Sequence, residues 1–162
     1  EIKDICKTAG CLVIEDASGA IGDTMLCNGN YSDIIVGSFG KWKPVNYGYG
    51  GWLSTNEKKF IDCAGDALSL TKVHPQLYHD ILPYLERNRV ETFLALQENV
   101  KKDLEQFDVI HRNKRGINVA VRHHPDVIAY CKEKGYPYVL CPNYTRVNEH
   151  AISIELKRLE NI

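Results

Sequence analysis

The chain has 162 residues, 44% of them apolar and 25% charged, with 20 Lys+Arg against 21 Asp+Glu. That is the composition of a soluble globular protein with room for one domain or two small ones, and it excludes disordered and collagen-like classes. No apolar run approaches the roughly 18–20 residues of a membrane span, and the N-terminus lacks the basic, apolar, small-residue order of a secretory signal. Residues 1–81 carry 7 basic and 10 acidic side chains and the remainder 13 and 11, too even for the clustered basic face that nucleic acid requires. A cytoplasmic protein with neither membrane nor nucleic-acid partner is expected. The chain opens on Glu1 and its one methionine is Met25, so a fragment or processed product is also expected.

Residues 2–9 (IKDICKTA) are followed by Gly10, as a helix is by its C-terminal stop. Cys11–Ile14 then forms a short apolar run, expected as a buried strand, that ends in Glu15-Asp16. Helix, glycine, apolar strand and terminal acid is the rhythm of an α/β protein with a parallel sheet. Residues 34–39 and 51–55 read as two more strands of the same sheet, joined by the Gly- and Pro-punctuated segment 40–50. Beyond Pro75, the residues Val90, Phe93, Leu94, Gln97, Val100, Leu104 and Phe107 recur at threes and fours, as on one face of a long helix. Pro83 breaks or begins it, since proline lacks the N–H and clashes with the preceding turn.

Strands are then expected at 108–112 and 117–123, a helix over 125–134 stopped by Gly135, and strands at 138–141 and 151–156. The expected organisation is a large-domain portion over 1–75, a connecting long helix over 76–107, and a small α+β domain over 108–162. The six cysteines (Cys6, Cys11, Cys27, Cys63, Cys131, Cys141) form no C-x-x-C pair, and no histidine accompanies them at zinc-ligand spacing. They read as reduced and mostly buried. Cys141-Pro142-Asn143-Tyr144 reads as holding a structural thiol. His123-His124, with His111, reads as no metal site, because neighbours on a strand face opposite ways. Lys132, Lys134, Lys157 and Arg158 read as a solvated face.

The residues richest in chemistry lie between Ile14 and Thr55. An acid at the C-terminal end of a parallel strand, Asp16, points into the crevice where α/β sheets bind ligands. Three blocks follow in order: Val13-Ile14-Glu15-Asp16-Ala17-Ser18-Gly19-Ala20-Ile21-Gly22, Ser38-Phe39-Gly40-Lys41-Trp42-Lys43, and Gly48-Tyr49-Gly50-Gly51. Together they resemble the DegT/DnrJ/EryC1/StrS sugar-aminotransferase family, of the fold-type I pyridoxal-phosphate enzymes. The resemblance implies an α/β fold: the C-terminal half of the family's large domain, a mostly parallel sheet with helices, followed by a small α+β domain.

By the same resemblance, Asp16 pairs with the pyridine nitrogen of pyridoxal 5'-phosphate, Ser38 contacts its phosphate, and Lys43 forms the Schiff base. Those residue types suit the work. A carboxylate keeps the ring nitrogen protonated, a primary amine bonds the aldehyde and then serves as general base, and a short hydroxyl donates to phosphate. Lys41 is the neighbouring competitor, but the spacing from Ser38 favours Lys43. The glycines of 48–51 are expected to permit close backbone approach.

The activity implied is transfer of an amino group from an amino acid such as glutamate to a keto-sugar nucleotide, by a homodimer. Gly19 stands where the family has Gln or His and Tyr49 where it has Glu. The family's Gly-Tyr-Asn-Tyr-Arg segment is missing from 68–78. These departures motivate two alternatives: a non-catalytic homologue acting as a regulatory or partner subunit, or a pyridoxal-phosphate enzyme with a non-sugar substrate. Because family members are longer, the isolated 162-residue chain is expected to be inactive.

Overall fold

In the computed structural model, residues 1–87, 89–142 and 147–159 are described. The chain folds as two compact units, Glu1–Asn88 and Arg89–Ile162.

The first unit opens with helix α1 (Ile2–Thr8) and strand β1 (Ile14–Asp16), followed by β2 (Ile34–Ser38) and β3 (Gly51–Ser54). β2 is central, parallel to β1 with Asp16 opposite Val36, and antiparallel to β3 with Ser38 opposite Gly51. The three strands thus share one sheet, as their sequence suggests. Asp33 stitches its near end: its carboxylate accepts the Val13 N–H at 2.9 Å, and its carbonyl accepts the Thr55 hydroxyl at 2.8 Å. The apolar run 11–14 departs from expectation. The strand begins only at Ile14, and Cys11, Leu12 and Ile14 are exposed rather than buried.

Helix α2 (Lys58–Leu70) has no sequence-based expectation behind it, and it buries none of its residues. After it, the span 76–107, expected as one connecting helix, contains three: α3 (Leu77–Asp80), α4 (Leu82–Glu86) and α5 (Arg89–Asp103). Proline explains the first break, because Pro83 fits only in the opening turn of a helix, where it sits in α4. The unit boundary falls immediately before α5, so the amphipathic stretch after residue 89 belongs to the second unit's core. The first unit's own core is small: Phe39, Val45, Leu77 and Ile81, with Ile21, Tyr47, Trp52, Val73 and Tyr84 packed round them.

The second unit is a two-layer α+β fold. Strands β4 (Val109–Ile110), β5 (Val119–Arg122), β6 (Tyr138–Cys141) and β7 (Ala151–Ile154) form an antiparallel sheet in the order β4-β5-β7-β6. Val119 and Val121 stand opposite Ile154 and Ile152 on adjacent strands. These residues pack with Phe93 and Val100 of α5, Leu104 just beyond it, and Val127 and Cys131 of α6 (Pro125–Lys134). The spacing of Val90, Phe93, Gln97, Val100 and Leu104 therefore marks the buried face of α5 correctly. Helix α6 runs from Pro125 to Lys134 as its punctuation predicts: His124 caps its start by accepting the Asp126 N–H at 3.2 Å, and Gly135 ends it at φ 69°. The last expected strand stops at Ile154, and a 3-10 turn covers Leu156–Arg158.

A fully buried carboxylate, Glu155, lies just beyond β7. It accepts from the Ser153 hydroxyl at 2.7 Å and the Asn118 amide at 3.0 Å, and its second oxygen pairs with Lys157 at 3.1 Å and Arg158 at 3.5 Å. Lys157 and Arg158 are therefore not a solvated face. Desolvating that carboxylate is offset by the hydrogen bonds from Ser153 and Asn118 together with the two half-buried cations beside it. Lys132 and Lys134 are exposed, as expected.

All six cysteines are free thiols, but only Cys131 and Cys141 are buried, whereas Cys11 and Cys63 are exposed. The expectation of mostly buried cysteines fails because four of them lie in the first unit, where the small core leaves them near the surface.

Two outcomes test this account. Phe93 is completely buried, so Phe93→Ala should cost about 3–5 kcal/mol in urea denaturation of the second unit. Burial pushes the Cys131 thiol up to about 11. The unfolded chain loses that proton first as pH rises, so this contribution is intact below the ordinary thiol range and lost up to about pH 11. Cys131→Ala should flatten the alkaline decline in stability measured by denaturation between those limits.

Candidate functional site

Parallel pairing brings the C-terminal ends of β1 and β2 to one edge of the sheet, and with them Asp16 and Ser38. The chain leaves β1 through a tight turn in which the Ala17 N–H donates to the Val36 carbonyl at 2.8 Å and the Ser18 N–H donates to Asp16 Oδ1 at 3.0 Å. Ser18 is buried, and its hydroxyl accepts the Ser38 N–H at 3.0 Å. The Ser38 hydroxyl in turn accepts the Gly40 N–H at 3.0 Å. One hydrogen-bond relay thus runs from the Asp16 carboxylate to the loop beyond β2.

Sequence reasoning does not single out Ser18. The signal that marks it is the Asp-x-Ser step at a strand end, where a carboxylate accepts a backbone N–H two residues on. Asp16 itself is exposed and Ser38 half-buried.

Lys43 lies in the loop between β2 and β3. Both loop ends are bonded at the same sheet edge, Phe39 N–H to Gly50 carbonyl at 3.1 Å and Gly48 N–H to Phe39 carbonyl at 2.7 Å. Inside the loop Trp42 adopts a left-handed φ of 65°, and its N–H donates to the Asn46 side chain at 3.1 Å. Lys43 is half-buried and is followed by buried Pro44 and Val45, whereas Lys41 is exposed with its ammonium 5.2 Å from the Trp42 ring.

The loop is fastened from its far side by α3 and α4. Val45 packs with Leu77 and Ile81. The Tyr47 hydroxyl donates to Asp80 at 3.0 Å, and the Tyr47 ring meets Tyr84 edge-on at 5.4 Å. Hydrogen bonds from Gln76 and Tyr47 hold the Asp80 carboxyl below the usual carboxylate range, and the same carboxylate raises the Tyr47 phenol. The strap is therefore in its charge-assisted form at neutral pH.

The glycines that close the loop serve packing. Gly50 has φ 85°, and a Cβ there would come 2.6 Å from the Leu77 side chain; one at Gly51 would come 2.5 Å from the Gly37 carbonyl. Gly19 is half-buried in the turn after β1, and Tyr49 is 52% exposed. The span 68–78 holds the end of α2, a turn and the start of α3.

The remaining candidates lie elsewhere. His124 caps α6, His123 stacks on His150 with ring centroids 4.4 Å apart, and His111 sits at a left-handed φ of 54°. Among the described residues no group of three or more His, Cys, Asp and Glu could hold a metal ion, and no helix is long and apolar enough to cross a membrane. Cys141 is 3% exposed; Asn143 and Tyr144 lie outside the described residues. A polar cleft of about 270 Å³ between Cys27–Asn30 and Ser54–Asn56 borders Ser32 and Asp33, which precede β2. It is therefore not at the carboxyl edge that carries Asp16 and Ser38.

Known proteins divide the chain in two places that flank residue 84. The MJ1341 family C-terminal domain matches residues 87–161. A comparison with curated proteins gave no match. Among solved structures, the chain is similar to the crystal structure of a DegT DnrJ EryC1 StrS aminotransferase from Brucella abortus, at a TM-score of 0.63 and 18% identity. The likeness covers 95% of this chain and 54% of that one, so the chain spans about half the length of this relative. At such identity it shows the fold, the α/β architecture expected from the sequence. The DegT/DnrJ/EryC1/StrS aminotransferase family model matches residues 1–81, half of the chain and the part that carries Asp16, Ser38 and Lys43. The chain belongs to the DegT/DnrJ/EryC1/StrS aminotransferase family.

Proposed function

We propose that this chain contributes the lysine-bearing part of a pyridoxal-phosphate-dependent aminotransferase. The observation that carries the proposal is the hydrogen-bond relay from Asp16 through Ser18 to Ser38 at the edge where the Lys43 loop is anchored. A carboxylate and a hydroxyl close the strands of a parallel pair, and the loop that leaves the same edge carries a primary amine; these are the group types that the cofactor's ring nitrogen, phosphate and aldehyde call for. When bound, the cofactor supplies an electron sink for carbanion chemistry next to an amine nitrogen.

The chain's own residues do the rest. Asp16 presents a carboxylate already oriented by the Ser18 N–H, suited to keeping a pyridine nitrogen protonated. Ser38 Oγ accepts from Gly40, which leaves its own proton to donate to a phosphate oxygen. Lys43 Nζ would supply the primary amine for the aldehyde and, when not bonded to it, a base able to carry a proton between the two carbons on either side of an imine nitrogen. Amino-acid donors such as glutamate and a keto-sugar nucleotide acceptor, in a homodimer, are the finer form of the reading and rest on family resemblance. Gly19 favours a second reading, a homologue without turnover, because a glycine brings no polar side chain to the turn after Asp16.

The direct test uses the longest encoded polypeptide containing this segment, incubated with pyridoxal phosphate, reduced with borohydride and mapped by peptide mass spectrometry. A single pyridoxyl label on Lys43, lost in Lys43→Arg, is the expected result. A label spread over surface lysines, Lys41 included, would sink the catalytic reading. The strap is tested separately by hydrogen exchange at the Gly48 amide. Tyr47→Phe, which removes the bond, should speed exchange there more than Asp80→Asn, which leaves a neutral acceptor in place of the charged one, and adding Asp80→Asn to Tyr47→Phe should change little.

A further inference from the structure

Helix α1 ends in a doubly bonded turn. The Gly10 N–H donates to the Lys7 carbonyl at 3.1 Å, and the Cys11 N–H donates to the Cys6 carbonyl at 2.8 Å, with Gly10 at φ 69°. This is the Schellman pattern, whose six-to-one bond brings together the side chains at the helix's third-from-last position and at the second position past its cap residue, Ala9. Those two positions ordinarily hold an apolar contact. In this chain they hold Cys6 and Cys11, both free thiols, the first half-buried and the second exposed.

We propose that Cys6 and Cys11 form a reversible dithiol–disulfide couple that fastens α1 to the segment entering β1. A disulfide spans Cα atoms about 4.4–6.8 Å apart, and a direct backbone N–H to carbonyl bond between the same two residues holds them in that regime. The Cα spacing that the turn imposes is thus compatible with closure. What must be given up is the long contact of the Cys11 thiol with the Ala9 carbonyl, at 3.7 Å.

The chemistry balances with a peroxide as the two-electron oxidant. One thiolate attacks a peroxide oxygen and breaks the O–O bond, giving a sulfenic acid and, after protonation, water. The second thiolate then attacks the sulfenic sulfur, forms the S–S bond and releases a second water. Two thiols and one hydrogen peroxide become one disulfide and two waters. An external dithiol reverses the reaction by exchange through a mixed disulfide. Cys11, being exposed, is the sulfur that meets the oxidant, and Cys6 is the resolving thiol.

The test treats the full chain with equimolar hydrogen peroxide and digests it without reduction. Cleavage after Lys7 and after Glu15 separates the two cysteines from each other and from Cys27. The expected product is the peptide of residues 4–7 joined to that of residues 8–15, short of two hydrogens and split by dithiothreitol. Sulfenic or sulfonic products on the two cysteines separately, or links distributed over Cys27 and Cys63, would overturn the proposal.

Gly10→Val probes the geometry, since a Cβ at Gly10 has nothing within 4 Å and only the backbone conformation resists it. Closure should slow by up to about thirtyfold, the ratio that corresponds to 1–2 kcal/mol of left-handed strain. Closure at the wild-type rate in that variant would show that the turn does not bring the thiols together.

Discussion

The arrangement depends first on the parallel pairing of β1 with β2. Parallel neighbours end at the same edge, so a residue closing one strand and a residue closing the next meet without either side chain having to reach. Asp16 and Ser38 close those strands, and Ser18 joins them by donating its N–H to one and accepting the N–H of the other. A shift of one residue in the pairing would turn every side chain to the opposite face. The bonds through Ser18 and the bond from Ala17 to Val36 pin the register just where the candidate residues Asp16 and Ser38 stand.

From that edge the Lys43 loop departs and returns, and its conformation is imposed from outside. Trp42 tolerates a left-handed backbone because Asn46 holds its N–H, while Val45 and Tyr47 are fastened to α3 and α4. The close contacts at Gly50 and Gly51 are with Leu77 and the Gly37 carbonyl. Glycine is required there for strand and helix to approach each other, which is a structural reason for the glycine-rich block and independent of any cofactor.

Legibility varied with how much of each element's cause was local. Helix α6 was readable to the residue, because Pro125 and Gly135 are each physically committed to a helix end, whereas the His124 cap is visible only in the fold. The buried face of α5 was readable because Phe93, Gln97, Val100 and Leu104 repeat at the period that a one-sided core imposes. Helix α2 was not readable: it has no side-chain cap, carries Gly65 inside it and buries nothing, leaving Phe60, Ala64 and Leu68 as its faint periodic signal. The exposure of the 11–14 run was equally illegible, because burial depends on what covers a strand and not on its own residues. Within the candidate site, Asp16, Ser38 and Lys43 are candidates by the resemblance of three ordered sequence blocks, whereas Ser18 required the turn to be seen.

The two units differ in what holds them, and that difference separates stability from chemistry. Among the described residues, the second unit closes eleven buried ones into one core, and of the exposed large apolar residues described only Leu140 belongs to it. The first unit has a core cluster of four and carries the other exposed ones, from Ile2 to Leu85. Yet Asp16, Ser38, Lys43 and the Cys6–Cys11 turn all lie in the first unit, in the stretch that matches the aminotransferase family. A substitution such as Phe93→Ala acts on a core that contains none of these groups. A change at Ser18 or Tyr47 alters how the site is held while leaving the larger core untouched, so loss of fold and loss of site are distinguishable by where in the chain the change is made.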